Sequence, residues 1–460
     1  MTSPAAPAAP AVAIDVGSRF LRVARVEADG TPRLVDLPGV VPGEGLPTPA
    51  EVRDDRDAAL RLAYGAYREH CGTPERLVLV VPQGEQDCPA PDIGVPRLRL
   101  LGTPHAVLAL LRHAGGPPAW PLLVCDLGAS GIDIVRCALV GRMVAVSRAT
   151  RYEPGPPGYG AAFDEAVLDG AGLAADESVV LRGLALARAA NARRTEAALD
   201  RMALRPDRAE RFADTVVHEV AGREITAGVV HRALSRLTDG LDRALEGVHP
   251  GPDRLPVIAV GGPARSGALI RHLTERLGPA VPLPHGTDPA SAAVLGAALV
   301  AAGRADAADR YPYAVAVRVH RTVAGRPRDG ELLISPPGTL VPGGATVFAE
   351  DAGERVRLRT TPAVGGGARE VRLVVRDAGS RTAVPAGTAM VPVIADVCLH
   401  VGLRVTVDGT ARLVLRPLGR SPDDAHPPVP PPPQLPPTEI PLGSLPTDAR
   451  PAETDRPPDT

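Results

Sequence analysis

Three apolar runs, each ending in a polar turn that carries glycine, punctuate the first two-thirds of the chain: residues 11–17 (AVAIDVG), 121–133 (PLLVCDLGASGID) and 256–262 (PVIAVGG). Runs of this kind predict buried strands that each deliver a tight loop to one end of a sheet. The third is followed by helical spacing over 264–277, and longer stretches of the same spacing over 178–204 and 224–245 predict two amphipathic helices. After Gly303 the texture changes: a polar segment, 304–310, leads into alternation at 311–319, 331–334, 356–360, 371–375, 400–407 and 411–415. Alternation broken by Gly and Pro turns predicts a small antiparallel β domain over 311–419. The last 40 residues, 421–460, hold 14 prolines, cannot bury a core and predict an extended, disordered tail.

Composition narrows the function classes. A chain of 460 residues with 44% hydrophobic content can build two or three domains with real cores. A formal charge of −2 marks no nucleic-acid or anionic-membrane surface. The five cysteines, at 71, 88, 125, 137 and 398, lack metal-ligand spacing, and Cys125 and Cys137 sit in apolar runs that suit buried thiols. Residues 1–10 have neither a basic region nor an apolar core, so they read as a disordered lead rather than a signal peptide. The most apolar helical stretch, 290–302, is shorter than the ~20 residues a bilayer requires, and the expected location is the cytoplasm. All 51 basic residues are arginine, so no lysine can serve as a catalytic cation.

The first two loops place an aspartate beside glycine, Asp15 with Gly17 and Asp126 with Gly128. Backbone N–H groups of such turns can wrap phosphate oxygens while a carboxylate holds hydrated magnesium. The third loop offers Gly261 and Gly262 ahead of a helix, which suits close approach to a flat base or its ribose.

In this order the motifs resemble those of the actin-like ATPase superfamily, and within it the seventy-kilodalton heat-shock chaperone (DnaK-type) family. Four further segments carry the resemblance: 77–82 (LVLVVP), 103–111 (TPHAVLALL), 158–168 (GYGAAFDEAVL) and 288–298 (DPASAAVLGAA). The resemblance implies a two-lobed actin-like α/β ATPase domain over 11–303, a linker at 304–310, a β domain for peptide or protein partners, and a disordered Pro-rich tail. It implies ATP or ADP with Mg²⁺ as cofactors, Asp15 and Asp126 holding the metal through water. Implied nucleotide contacts are Gly17, Ser18 and Arg19, then Gly128, Ala129, Ser130, Gly131 and Asp133. The third loop adds Gly261, Gly262, Pro263 and Arg265, and the helix over 178–204 offers Arg193, with two placements open: a ribose contact or an exposed helix arginine. An exchange factor or co-chaperone is an implied partner as well.

Departures from the family pattern bear on rate. The family's lysine is absent, Thr103 stands where a glutamate is expected, and Gly131 stands where a threonine hydroxyl is expected, with Ser130 beside it. Such groups stabilise charge at the γ-phosphate, so their loss should spare binding more than hydrolysis. Two placements stay open for Arg19: gripping phosphate in the lysine's stead, as a catalytic group with Asp15 and Asp126, or facing solvent beside Arg22 and Arg25. The functional expectation is an ATP-binding, DnaK-like protein whose nucleotide state governs partner binding and whose hydrolysis is weak. A nucleotide-sensing scaffold without turnover and a small-molecule kinase of the same fold are the alternatives.

Overall fold

The computed structural model describes residues 11–86, 88–116, 119–174, 178–248, 254–323, 326–359, 368–377, 383–392, 398–418 and 436–446. It is a mixed α/β structure with several sheets, and the chain divides into two compact units. The first comprises Met1–Cys137 and Ser147–Ala307, and the second comprises Ala138–Val146 and Ala308–Thr460. Residues 1–10 and most of the Pro-rich tail lie outside the described residues.

The first unit begins with strands β1 (Ala11–Val16), β2 (Phe20–Val26), β3 (Pro32–Leu34) and β4 (Leu46–Pro47), helix α1 (Arg56–Cys71), β5 (Arg76–Val81), β6 (Arg97–Gly102) and α2 (Thr103–His113). It continues with β7 (Leu122–Leu127), β8 (Ile132–Val140), β9 (Met143–Tyr152), α3 (Tyr159–Gly170), α4 (Ser178–Leu204) and α5 (Ala209–Ala213). It closes with β10 (Val216–Val220), β11 (Arg223–Thr226), α6 (Ala227–Glu246), β12 (Val257–Val260), α7 (Gly267–Arg276) and α8 (Ala292–Ala301).

Two sheets of this unit repeat one topology. The first runs β3-β2-β1-β5-β6, and the second runs β9-β8-β7-β12. In each, a strand hairpins antiparallel to the next and takes a later strand in parallel on its other edge: β1 with β2 and β5, β7 with β8 and β12. A central strand in such a sheet is covered on both faces, and Val12, Ala13 and Ile14 are accordingly all fully buried. Leu60, Ala63 and Tyr64 of α1 cover one face of the first sheet with Ile14, Leu21 and Leu79. The second sheet packs against α6, whose Val230, Leu234, Leu237 and Leu241 recur at helical spacing on one buried face.

Helix α8, in the stretch 288–298 singled out from sequence, packs back onto β1, β2, β5 and α2. Gly296 makes that approach possible, since a Cβ there would lie 1.9 Å from the Ala106 carbonyl oxygen of α2. Two helix expectations shift in detail. The stretch expected from 224 becomes helical only at Ala227, because Arg223–Thr226 pairs with β10 as β11. Helix α4 has its expected bounds but is kinked at Asn191, where φ is −116° and ψ 15° and the side chain donates to the Ala187 carbonyl.

The second unit contains β13 (Ala314–Val323), β14 (Arg326–Ser335), β15 (Val347–Phe348), β16 (Glu350–Asp351), β17 (Glu354–Arg355), β18 (Arg357–Arg359) and β19 (Ala368–Arg376). These are followed by β20 (Val384–Pro392), β21 (Cys398–Val405), β22 (Thr410–Pro417) and β23 (Thr438–Ser444). One sheet runs β14-β13-β19-β20 and another β15-β21-β22-β23, and Val315, Leu332, Leu373, Leu403 and Leu413 share one core between them. Two strands differ from the sequence expectation. Val384–Pro392 alternates but is interrupted by Pro and Gly, so it carries no strand signature, yet it pairs along β19. Thr438–Ser444 belongs to the segment expected to be a disordered tail, yet it pairs with β22, and Leu445 beyond it is buried in the core. The correction has a local cause: among the prolines, Ile440, Leu442 and Leu445 supply enough apolar surface to dock one strand.

Candidate functional site

The two hairpins of the first unit present equivalent turns. After β1, the Gly17 N–H donates to the Phe20 carbonyl at 3.2 Å, and after β7 the Gly128 N–H donates to the Gly131 carbonyl at 2.8 Å. The Thr48 hydroxyl donates to the Gly17 carbonyl at 2.8 Å and so holds the first turn from outside. The second turn is held by α3. Helix starts leave N–H groups without intrahelical partners, and here the Tyr159, Gly160 and Ala161 N–H groups donate to the Ser130, Gly128 and Ala129 carbonyls. The third loop follows β12, and Gly261 sits at φ +92° with its Cα so close to β7 that a Cβ would lie 2.1 Å from the Leu127 carbonyl oxygen. At Gly262, by contrast, a Cβ would meet nothing within 4 Å.

All three loops border one cavity of about 1360 Å³, with walls from both sheets and from α4. Asp15, Gly17, Ser18 and Arg19 line it from the first loop, and Asp126, Gly128, Ala129 and Ser130 from the second. Gly261, Gly262, Pro263 and Arg265 line it from the third. Gly131, Asp133 and Arg193 are not part of the lining. Gly131 packs its Cα side against the Tyr152 carbonyl, and Asp133 lies cross-strand from Asp126. Arg193 is exposed on α4, the second of the two placements left open for it, and Thr195 and Glu196 of the same helix line the cavity.

Of the two placements left open for Arg19, the solvent-facing one does not hold. Its side chain is 12% exposed and lies 3.9 Å from Asp164 and 4.0 Å from Glu165, on the cavity wall rather than in solvent. Arg188 of α4 shares Asp164 and stacks over the Phe163 ring at 4.7 Å. Thr103, in the position where a glutamate was expected, is buried and donates to the Val81 carbonyl at 3.3 Å.

Charges alternate along the cavity floor. Arg22 lies directly across the strand pair from Asp15, with Nη1 3.5 Å from Asp15 Oδ2 and Nη2 3.7 Å from Glu44 Oε2. Glu44 also pairs with Arg265, which in turn grips Asp288 through Nε at 2.9 Å and Nη2 at 2.8 Å. Burial pushes the Asp15 carboxyl above its ordinary value, and Arg22 opposes the shift. Burial, with Asp15 and Asp133 nearby, pushes Asp126 up to about 7, against the opposing effects of Thr103 and Arg22. Glu196 is raised by burial as well, partly offset by a hydrogen bond from the Gly267 N–H.

Arg22, Glu44, Arg188 and Glu196 are cavity residues that the sequence reading did not single out. For Arg22 a signal existed: with a turn closed between Gly17 and Phe20, the residue seven positions after Asp15 is its cross-strand neighbour. No comparable local signal points to Glu44 or Glu196, which reach the cavity through tertiary packing.

Among the described residues no group of three or more His, Cys, Asp or Glu side chains is arranged to hold a metal ion, and no helix is long and apolar enough to cross a membrane. Comparison of the chain with protein-family models found no match, and comparison with curated proteins found none either.

Proposed function

We propose that this chain is a DnaK-like member of the actin-like ATPase superfamily that binds ATP or ADP in the cavity and couples nucleotide state to the binding of a polypeptide partner. The observation that carries the reading is the duplicated strand-turn-strand unit, whose two Asp-x-Gly turns border one cavity together with the Gly261-Gly262 loop. The cavity, at about 1360 Å³, is large enough to take a nucleotide. The space at Gly262 is open, and Glu196 lines the cavity as a hydrogen-bond acceptor. Both features support an adenine nucleotide. Magnesium fits less well: Asp15, one of its two expected ligands, already faces the Arg22 guanidinium at 3.5 Å, and a like charge at that range opposes a dication.

In this reading the chain's own groups act by holding and orienting. The two turns offer backbone N–H groups to phosphate oxygens, and Asp126, near half-protonated at neutral pH, can hold a proton against an approaching anion. Hydrolysis is weak because no lysine exists, Thr103 brings no carboxylate and Gly131 brings no hydroxyl. The β domain is the partner-binding unit of the proposal, supported by edge strand β14 with exposed Leu333, which suits strand addition. A nucleotide-sensing scaffold with no turnover is the second reading, favoured by Thr103, whose hydroxyl is directed to a backbone carbonyl.

Calorimetric titration with ATP, ADP and a non-hydrolysable analogue, paired with a turnover assay, tests both readings. Gly262→Trp should abolish nucleotide binding while leaving the circular dichroism spectrum unchanged, since the added side chain enters open space rather than packed core. Absence of binding heat in the wild type with any nucleotide at millimolar concentration sinks the proposal. Binding without turnover selects the scaffold.

A further inference from the structure

Arg22 is 8% exposed, yet it is not a satisfied core arginine. Its two ion pairs, 3.5 Å to Asp15 and 3.7 Å to Glu44, are looser than the ~2.8 Å of a tight charge-assisted hydrogen bond. Its Nε is buried without a hydrogen-bond partner. A guanidinium carries five N–H donors, so this one retains donors that nothing nearby fully engages. It also lies where a ligand would need it. A Cβ placed on Gly17 would be 3.6 Å from Arg22 Nη1, so the guanidinium sits against the first loop and borders the cavity.

The surrounding charges keep it there. Glu44 is the only carboxylate besides Asp15 that the described ion pairs give Arg22, and Glu44 is itself shared with Arg265. Arg265 is anchored by Asp288, which also accepts the Ala290 N–H at 2.8 Å. Because the pair Asp15 and Arg22 is set by the β1–β2 register, the cation is part of the sheet and not a mobile side chain reaching in. A hydrated divalent ion at Asp15 would need an unpaired carboxylate and space for its ordered water shell. Arg22, 3.5 Å from Asp15, sets a like charge beside the carboxylate such an ion would use and borders that space.

We infer that Arg22 is the resident cation beside the first Asp-x-Gly turn and that the protein takes its polyphosphate ligand as the metal-free anion. The inference rests on the nucleotide reading above and adds the ionic form of the ligand to it. A guanidinium is suited to the task, since its planar fork pairs with two oxygens of one phosphate.

The test is equilibrium binding of ADP and ATP to the full-length chain, measured by calorimetry in excess EDTA and again in excess magnesium. Less than about threefold difference between the two conditions is expected. A larger loss in EDTA overturns the inference while leaving the nucleotide reading intact. No binding in either condition overturns both. Arg22→Gln should weaken binding in EDTA by about tenfold or more and should make binding magnesium-dependent. Arg22→Lys, which keeps the charge, should retain metal-free binding to within about tenfold of wild type. If Arg22→Gln fails to fold by circular dichroism, the wild-type comparison and the lysine variant decide, and a wild type whose binding needs magnesium is sufficient to reject the idea.

Discussion

The hairpin β1–β2 and the hairpin β7–β8 are the same device built twice with opposite charge. Each closes on the same kind of turn bond, from Gly17 to Phe20 and from Gly128 to Gly131, and each takes a parallel strand on its far side. In each, the aspartate two residues before the turn glycine faces the residue seven positions on: Asp15 faces Arg22, whereas Asp126 faces Asp133. Backbone geometry is thus common to the two, and the cross-strand position adds to or offsets the effect of burial. At Asp15 the cross-strand cation opposes the upward shift that burial causes. At Asp126 burial and then Asp15 raise the carboxyl to about 7, and the cross-strand acid Asp133 adds to the shift. A duplicated scaffold can therefore offer one turn that is already charge-balanced and one that still seeks a proton or a donor.

The largest effect should come from swapping the sign of that position. Arg22→Ala leaves Asp15 and Glu44 facing each other across a buried gap, and losing one partner of a buried pair typically costs about 3–5 kcal/mol. Asp133→Ala should cost less, since it also removes a like charge from Asp126. Urea unfolding at pH 8 reads both, and an equal or larger cost for Asp133→Ala would break the comparison.

A smaller effect, with a definite pH dependence, belongs to Asp126. Its folded-state value near 7, against the ordinary 3.8, means that the folded protein binds this proton more tightly than the unfolded chain. The stability that this contributes is fully present below about pH 4 and is lost as pH rises through about 7. Asp126→Asn should therefore match wild type near pH 4 and melt higher above pH 7, by roughly 1–2 °C for each kcal/mol recovered. A melting-temperature difference that is flat with pH would show that the carboxylate is not strained by its neighbours.

The smallest effect separates the turns themselves. A Cβ on Gly17 would lie 2.7 Å from the Phe20 carbonyl oxygen, whereas one on Gly128 would lie 3.2 Å from the Gly131 carbonyl oxygen. Gly17→Ala should cost about 1–3 kcal/mol because backbone must shift, and Gly128→Ala less than about 1 kcal/mol. Thermal denaturation of the pair orders them, and the reverse order would mean that the first turn has more room than its geometry shows.

Much of the first unit was legible because its signals are local. An apolar run followed by Asp-x-Gly announces strand and turn within seven residues, and the periodicity of α4 and α6 announces helix within two or three turns. Strand β20 was not legible, since Pro385, Gly387 and Pro392 interrupt an alternation that only pairing with β19 rescues. Strand β23 was hidden for the same reason, as 438–444 sits among prolines and becomes a strand only when β22 offers an edge. At the site, Asp15, Asp126 and the glycines followed from the loops. For Arg193 the sequence left two placements open, because a helix face cannot be aimed at a cavity before the packing of its neighbours is known.

The chain's local order of residues suffices to specify three strand-ending loops, the absence of lysine among them and a β-rich second unit. Which carboxylate meets a cation, which meets another acid, and how Glu44, paired with Arg22, comes to meet Arg265 221 residues further on depended on the assembled sheets. The reason is physical. Strand and turn propensities act over a few residues, whereas the energy of a charge is set by burial and by neighbours that the chain brings together only on folding.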